Sequence, residues 1–153
     1  MIVRAPLLAE CEALSDLCLR SKAHWGYDDA FLAACREELT VTAAMIQSSA
    51  MAVAERDGAV CGLVQLDMTP PEAVLEKIFV APEAIGNGIG NALFQWAVTM
   101  AKDAGAGSFT IDSDPNAVAF YRHMGAVVIG SSPSGSIPGR ALPKMRYVIE
   151  RSI

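Results

Sequence analysis

Glycines at positions 86, 88 and 90 alternate through the segment Ile85-Gly-Asn-Gly-Ile-Gly-Asn91. An apolar run, Ile78 to Val80, precedes that segment across Ala81-Pro82, and a helical pattern begins at once after it. Ile89, Leu93, Trp96 and Met100 are spaced 4, 3 and 4, the period of one helix face. The order is strand, glycine loop, helix. Glycine lets backbone N–H groups approach a ligand with no side chain in the way. The helix start adds unpaired N–H groups and the positive end of its dipole. The chemistry of such a place is anion binding, above all of phosphate or pyrophosphate.

Two phosphate-binding loops do not fit. The P-loop requires Lys followed by Ser or Thr after its last glycine, where Asn91-Ala92 stands. The dinucleotide fingerprint requires a glycine at position 91, which is Asn91. A second segment, Asp112-Ser-Asp-Pro-Asn-Ala-Val-Ala-Phe-Tyr-Arg-His-Met-Gly-Ala126, narrows the reading further. Asp114 suits an N-cap and Pro115 the first helical position. Ala117, Phe120, Tyr121 and Met124 recur at helical spacing, and Gly125 can end the helix.

Together the two segments resemble the GNAT N-acetyltransferase superfamily. Its motif A reads R/Q-x-x-G-x-G/A and matches Ile85 to Gly90, with Ile85 in place of the usual Arg or Gln. A later family segment, N-x-x-A-x-x-F-Y-x-x-x-G-F, matches the stretch ending Gly125-Ala126, with Asp114 in place of the first Asn and Ala126 in place of the last aromatic residue. The resemblance covers residues 50–150 and implies an α/β fold: a mixed α+β central sheet, splayed and flanked by helices, that binds acyl-coenzyme A. The implied activity is acetyl-CoA-dependent N-acetylation of a primary amine by direct attack in a ternary complex.

That chemistry sets the roles to be filled. The thioester carbonyl must be polarised as it becomes an oxyanion, the amine must lose a proton, and the thiolate must gain one. By resemblance, the pantetheine arm pairs with backbone at Phe79, Val80 and Ala81, and the Val80 N–H is the oxyanion donor. The pyrophosphate falls to the amides of Gly86, Asn87, Gly88, Ile89, Gly90 and Asn91. Tyr121 aligns with the family's thiolate-protonating tyrosine, and Asn116 with a position near the cofactor. His24, Trp25 and Tyr27 fall where the family places an acceptor wall, and Arg140 lies in the loop that closes over the acceptor. For the base, strict alternation sets Glu76 on the face of Ile78 and Val80. Glu72, further out, and Asp112, at the end of the next strand, are the alternatives.

These residues need elements to hold them. The pattern predicts a short strand Ile2–Arg4, an amphipathic helix from Leu7 to about Arg20, and a second helix capped by Asp28 or Asp29 and ending near Leu39. In the first helix, Cys11 and Cys18 share an apolar face with Leu7 and Leu14. Thr42 can cap a short helical turn. Residues 50–66 read as a hairpin around Asp57-Gly58, a type I′ signal. Strands follow over 74–80 and 108–112, with helices after each, to about Ala104 and Met124. The last strands are 126–130 and 145–150, and Ser131 to Pro143, rich in Ser, Pro and Gly, reads as the loop between them.

Composition excludes several classes. A chain of 153 residues suits one domain, 1–153, that buries ~70% of its unfolded surface. The hydrophobic fraction is 52%, yet no run approaches the ~18 residues of a membrane span. Arg4, Glu10 and Glu12 break any signal-peptide core, so the expectation is a cytoplasmic protein. A net charge of −5 without a basic stripe argues against nucleic acid and weakly favours a cationic substrate. Cys11, Cys18, Cys35 and Cys61 form no C-x-x-C pair, and two distant histidines argue against zinc, so no metal is expected. The expected partner is a small-molecule amine or a peptide N-terminus. The family's recurrent homodimer is a further implication, carried by no particular residue. The competing reading is a catalytically silent acyl-CoA-binding regulatory module.

Overall fold

Asp57 and Gly58 both adopt positive φ, 53° and 80°, the type I′ geometry that follows the twist of the flanking strands. They join β2 (Ala50–Arg56) to β3 (Ala59–Asp67), as the Asp-Gly signal predicts. The computed structural model describes residues 1–69 and 71–149. Within these, β1 (Ile2–Arg4), β4 (Ala73–Val80), β5 (Ser108–Asp112), β6 (Val127–Pro133) and β7 (Ala141–Val148) complete a seven-stranded sheet, ordered β1-β2-β3-β4-β5-β7-β6. Its neighbouring strands are antiparallel except β4 and β5. The helices are α1 (Cys11–Ala23), α2 (Asp29–Leu39), α3 (Ala43–Ser48), α4 (Ile89–Asp103) and α5 (Val118–His123). This is the mixed α/β architecture that the motifs imply.

Apolar alternation divides the core between the two faces of the sheet. One face gathers Leu66, Leu75, Phe109 and Ile111 with Leu93 and Phe94 of α4. The other gathers Val53 and Leu63 with Leu14 and Cys18 of α1 and Cys35 of α2. Phe94 is fully buried and meets Phe109 and Tyr147 edge to face, with centroids 5.7 and 5.1 Å away. Burying such a ring stabilises by about 1.5–3 kcal/mol. Gly62 lets α4 settle on β3: a Cβ there would lie 2.8 Å from Ile89 and 2.9 Å from Leu93.

Three expectations change. The first helix opens with a 3₁₀ turn, Leu8–Glu10, and the α-helix runs on to Ala23. Leu7 is exposed outside it, so the apolar face is Leu14, Leu17 and Cys18. The Ser/Pro/Gly stretch is mostly hairpin: Ser131 pairs with Pro143 and Pro133 with Ala141, leaving residues 134–140 as the connection. Its composition overstated the loop, because Pro133 and Pro143 take ladder positions within the hairpin and only Pro138 lies in the connection. β7 ends at Val148, and the expected extension to Glu150 lies outside the described residues.

Candidate active site

β4 and β5 share only the register pairs Ala73↔Phe109 and Val74↔Thr110. β4 then continues to Val80 and β5 to Asp112 without pairing. The cause lies in β4 itself. Gln65 faces Lys77 and Leu66 faces Leu75, so Glu76 is an extra residue with no partner on β3. A bulge bends its strand and increases its twist, and β4 leaves β5 at this point. A cleft of about 600 Å³ opens between them.

The ladder decides which backbone groups face the cleft. The Ala81 N–H donates to the Cys61 carbonyl at 2.8 Å. Alternation in an antiparallel ladder, in unbroken register from Val80 to Lys77, turns the N–H and C=O of Val80 and Ile78 away from β3 toward the cleft. Phe79 directs its own toward β3. Of the expected backbone Phe79, Val80 and Ala81, only Val80 offers its groups to the cleft. Ile78 is the second, and sequence reasoning missed it. The Ala81 carbonyl is also engaged, accepting from the Ala84 N–H.

The glycine loop closes one end of the cleft. Gly86 and Gly88 have φ of 89° and 76°, the left-handed region that favours glycine. Gly88 is the N-cap of α4 and supplies no side-chain cap, which leaves the N–H groups of the first helical turn for a ligand. Gly90 serves a close approach: a Cβ would stand 3.1 Å from the Phe120 ring. Gly86, Gly88, Ile89, Gly90 and Asn91 line the cleft, as does Ile85. The Asn87 side chain braces the loop by donating to the Ala84 carbonyl at 3.0 Å.

Tyr121 lines the cleft from α5. It is buried against Phe94 and Phe120. Burial, then the negative charge of Asp114, pushes its phenol pKa well above the ordinary value, so it holds its proton at neutral pH. Glu76 also lines the cleft. At the bulge Leu75 takes the place opposite Leu66 and packs with it in the core, and Glu76 stands outside the ladder. Partial desolvation raises the Glu76 pKa, with Asp67, Asp112 and Glu38 adding to the rise and Lys77 opposing it. Asp112 stands in the same wall, whereas Glu72 pairs with Arg146 at 3.3 Å.

His24 and Trp25 line the cleft, edge to face at 5.5 Å. Tyr27 and Arg140 do not line it. Arg140 donates to the Tyr27 hydroxyl at 2.9 Å, and that hydroxyl donates to Asp114 at 2.9 Å. Asn116 lines the cleft while its amide donates to Tyr27 and Asp114. Asp114 does cap its turn, accepting from the Asn116 N–H at 2.8 Å. It also pairs with Lys22 at 2.6 Å. Lys22 and Glu38, both in the cleft wall, were not singled out from the sequence: the partners of Lys22 and Glu38 lie 92 and 98 residues away, beyond any local pattern.

Among the described residues, no group of three His, Cys, Asp or Glu side chains is placed to hold a metal, and no helix is long and apolar enough to cross a membrane. Three of the four unpaired cysteines are buried and Cys11 is half-buried.

Comparison with known proteins follows this geometry. The chain is similar in fold to a GCN5-related N-acetyltransferase from Rhodopseudomonas palustris, at 21% identity, covering 96% of this chain and 94% of that one, with a TM-score of 0.81. PaiA N-acetyltransferase from Thermoplasma acidophilum, in complex with coenzyme A, matches at 17% identity, 96% and 98% coverage and a TM-score of 0.76. An aminoglycoside 6′-N-acetyltransferase complexed with coenzyme A matches at 18% identity, 100% and 99% coverage and a TM-score of 0.72. No curated protein matches the sequence. The family model described as the acetyltransferase (GNAT) domain matches residues 16–141, which is most of the chain. The splayed strands, the glycine loop and this match agree: the chain belongs to the GNAT acetyltransferase family.

Proposed function

We propose that this protein is an acetyl-CoA-dependent N-acetyltransferase acting on a primary amine. The observation that carries the reading is one cleft, between β4 and β5, lined by the glycine loop, Tyr121 and Glu76 together. The coenzyme A bound in two of the structural neighbours supports the choice of donor. In this reading the pyrophosphate rests on the amides of the glycine loop and the start of α4. The pantetheine arm continues along the unpaired edge of β4 at Val80 and Ile78. The amine nitrogen attacks the thioester carbon, and the Val80 N–H stabilises the oxyanion. Glu76 takes the amine proton, directly or through water, and its raised pKa makes it a stronger base than an ordinary carboxylate. The carbon–sulfur bond breaks, the thiolate takes the Tyr121 proton, and the tyrosinate is reprotonated from solvent.

The acceptor is a small-molecule amine or a peptide N-terminus. The aminoglycoside enzyme among the neighbours supports the first, and the ribosomal-protein-S18-alanine N-acetyltransferase from Escherichia coli the second. The reading includes a cytoplasmic setting, which the buried thiols Cys18, Cys35 and Cys61 suit. It also includes a homodimer along the edge strand β6, where Val127, Val128 and Ile129 are exposed.

Incubation with acetyl-CoA and a panel of small amines, aminoglycosides, amino acids and short peptides tests it, with product read by mass spectrometry. Acetylated amine is the expected result. Cofactor binding without product from any amine would favour the second reading, a catalytically silent acyl-CoA-binding module. Ile85, apolar where the family motif carries Arg or Gln, is the observation on its side.

A further inference from the structure

Asp114 gathers polar contacts from several separate segments. Lys22, near the end of α1, reaches it at 2.6 Å. Tyr27, in the α1–α2 connection, donates to it at 2.9 Å. Arg140, in the β6–β7 connection, donates to Tyr27 at 2.9 Å and stands 3.9 Å from Asp114. Asn116, in the turn before α5, donates from its backbone and its amide. Both cations lie over the stacked rings of Tyr27 and Phe31: Lys22 at 5.3 and 5.9 Å, Arg140 at 5.4 and 4.8 Å from the centroids. The carboxylate and both cations are largely buried. A second strap holds the β6–β7 connection to α2, since Ser136 donates to Glu38.

We propose that Asp114 is a positioning residue, a clamp that fastens the α1–α2 connection and the β6–β7 connection to each other over the acceptor end of the cleft, so that the two open as one unit. A buried carboxylate facing two cations is poorly satisfied by either alone, and removing one partner leaves the others underpaired in a low-dielectric site. Loss of Arg140 therefore weakens the hold on Tyr27, and loss of Lys22 weakens the hold on Arg140. That the opening admits an amine rests on the acetyltransferase reading. The mechanical coupling does not, and it is tested without any acceptor.

Amide hydrogen exchange by mass spectrometry on the full chain, without ligand, separates the outcomes. The variants are Arg140→Gln, Lys22→Met and Asp114→Asn. Asn keeps the N-cap while losing the charge. Arg140→Gln is expected to speed exchange about tenfold or more in residues 24–28, on the other connection. Lys22→Met should do the same in residues 134–140, and Asp114→Asn in both, while α4 stays unchanged. Acceleration confined to each variant's own segment, or none, would overturn the proposal. Equal acceleration of α4 in all three would overturn it too, since Asp114 would then be a general support of the fold. A failed amine screen would leave these exchange results standing, so the two readings fail separately.

Discussion

Val74 and Thr110 are the last residues at which β4 and β5 face each other in register. Two residues further along β4 lies the bulge at Glu76, and everything the proposed chemistry needs stands beyond it. The parting leaves strand backbone facing the cleft at Ile78 and Val80. Such groups are costly to bury without partners, and an extended amide-bearing ligand such as pantetheine would satisfy them.

Tyr121→Phe removes one oxygen and keeps the ring against Phe94 and Phe120, so the fold should stand. Turnover is expected to fall about 10²-fold or more, in the range of a lost general acid. The shift in melting temperature caused by acetyl-CoA should be unchanged. Turnover equal to the parent's would remove Tyr121 from the mechanism.

Glu76→Gln should lower activity and raise stability at pH 7. The folded-state pKa of Glu76 is raised, chiefly by desolvation, above an unfolded value of about 4.3. The folded state then binds more protons than the unfolded one as pH rises from that value through the raised pKa, and stability is lost over that window. The wild-type chain carries the cost at pH 7, and the amide escapes it. Urea unfolding at pH 7 and pH 4 checks this, with the advantage of Gln larger at pH 7. An advantage equal at both pH values would contradict the account.

Ile85→Arg restores the side chain that the family motif carries at the first position. Ile85 is half exposed and lines the cleft beside the loop. A charge-assisted contact to pyrophosphate contributes about 1 kcal/mol net at an exposed site, so acetyl-CoA should bind about fivefold more tightly. The gain should shrink in high salt. Titration calorimetry at low and high ionic strength measures both.

Asp114→Asn should lower the local stability of the two connections by about 2 kcal/mol at pH 7, the loss of charged hydrogen bonds, read by amide exchange in residues 24–28 and 134–140. Burial acts to raise the Asp114 pKa, but the hydrogen bond from Lys22 and the backbone bond from Asn116 outweigh it and hold it low. Stability from a depressed carboxyl is fully present above the unfolded value of about 3.9 and is lost as pH falls through the folded one. The gap between parent and variant should therefore narrow at pH 3. A gap independent of pH would assign the cost to shape rather than charge.

Local chemistry was legible where it acts within a few residues. Asp57-Gly58 specified its turn, the alternating glycines the loop that opens α4, and Asp114-Pro115 the start of its helix. What escaped depends on distant partners. Strict alternation along β4 could not show the extra residue at Glu76, because a bulge is a property of the β3–β4 pair and not of β4 alone. Nothing local singles out Lys22, since its carboxylate lies 92 residues on. Tyr27 and Arg140 looked free to grip a substrate because nothing local reveals that they satisfy each other. Cofactor backbone was assigned to Phe79 and Ala81 because only the register with β3 tells which groups are already spent.

The central claim is that the cleft binds acetyl-CoA, and thermal melting tests it most directly. The protein is melted alone and with millimolar acetyl-CoA, with ATP and NAD as controls. A ligand held only by the folded state at ~100 times its dissociation constant adds ~2.7 kcal/mol, a rise of about 5–10 °C for a domain of this size. The account predicts that rise with acetyl-CoA and none with NAD or ATP. No rise with acetyl-CoA, or an equal rise with all three, would contradict it.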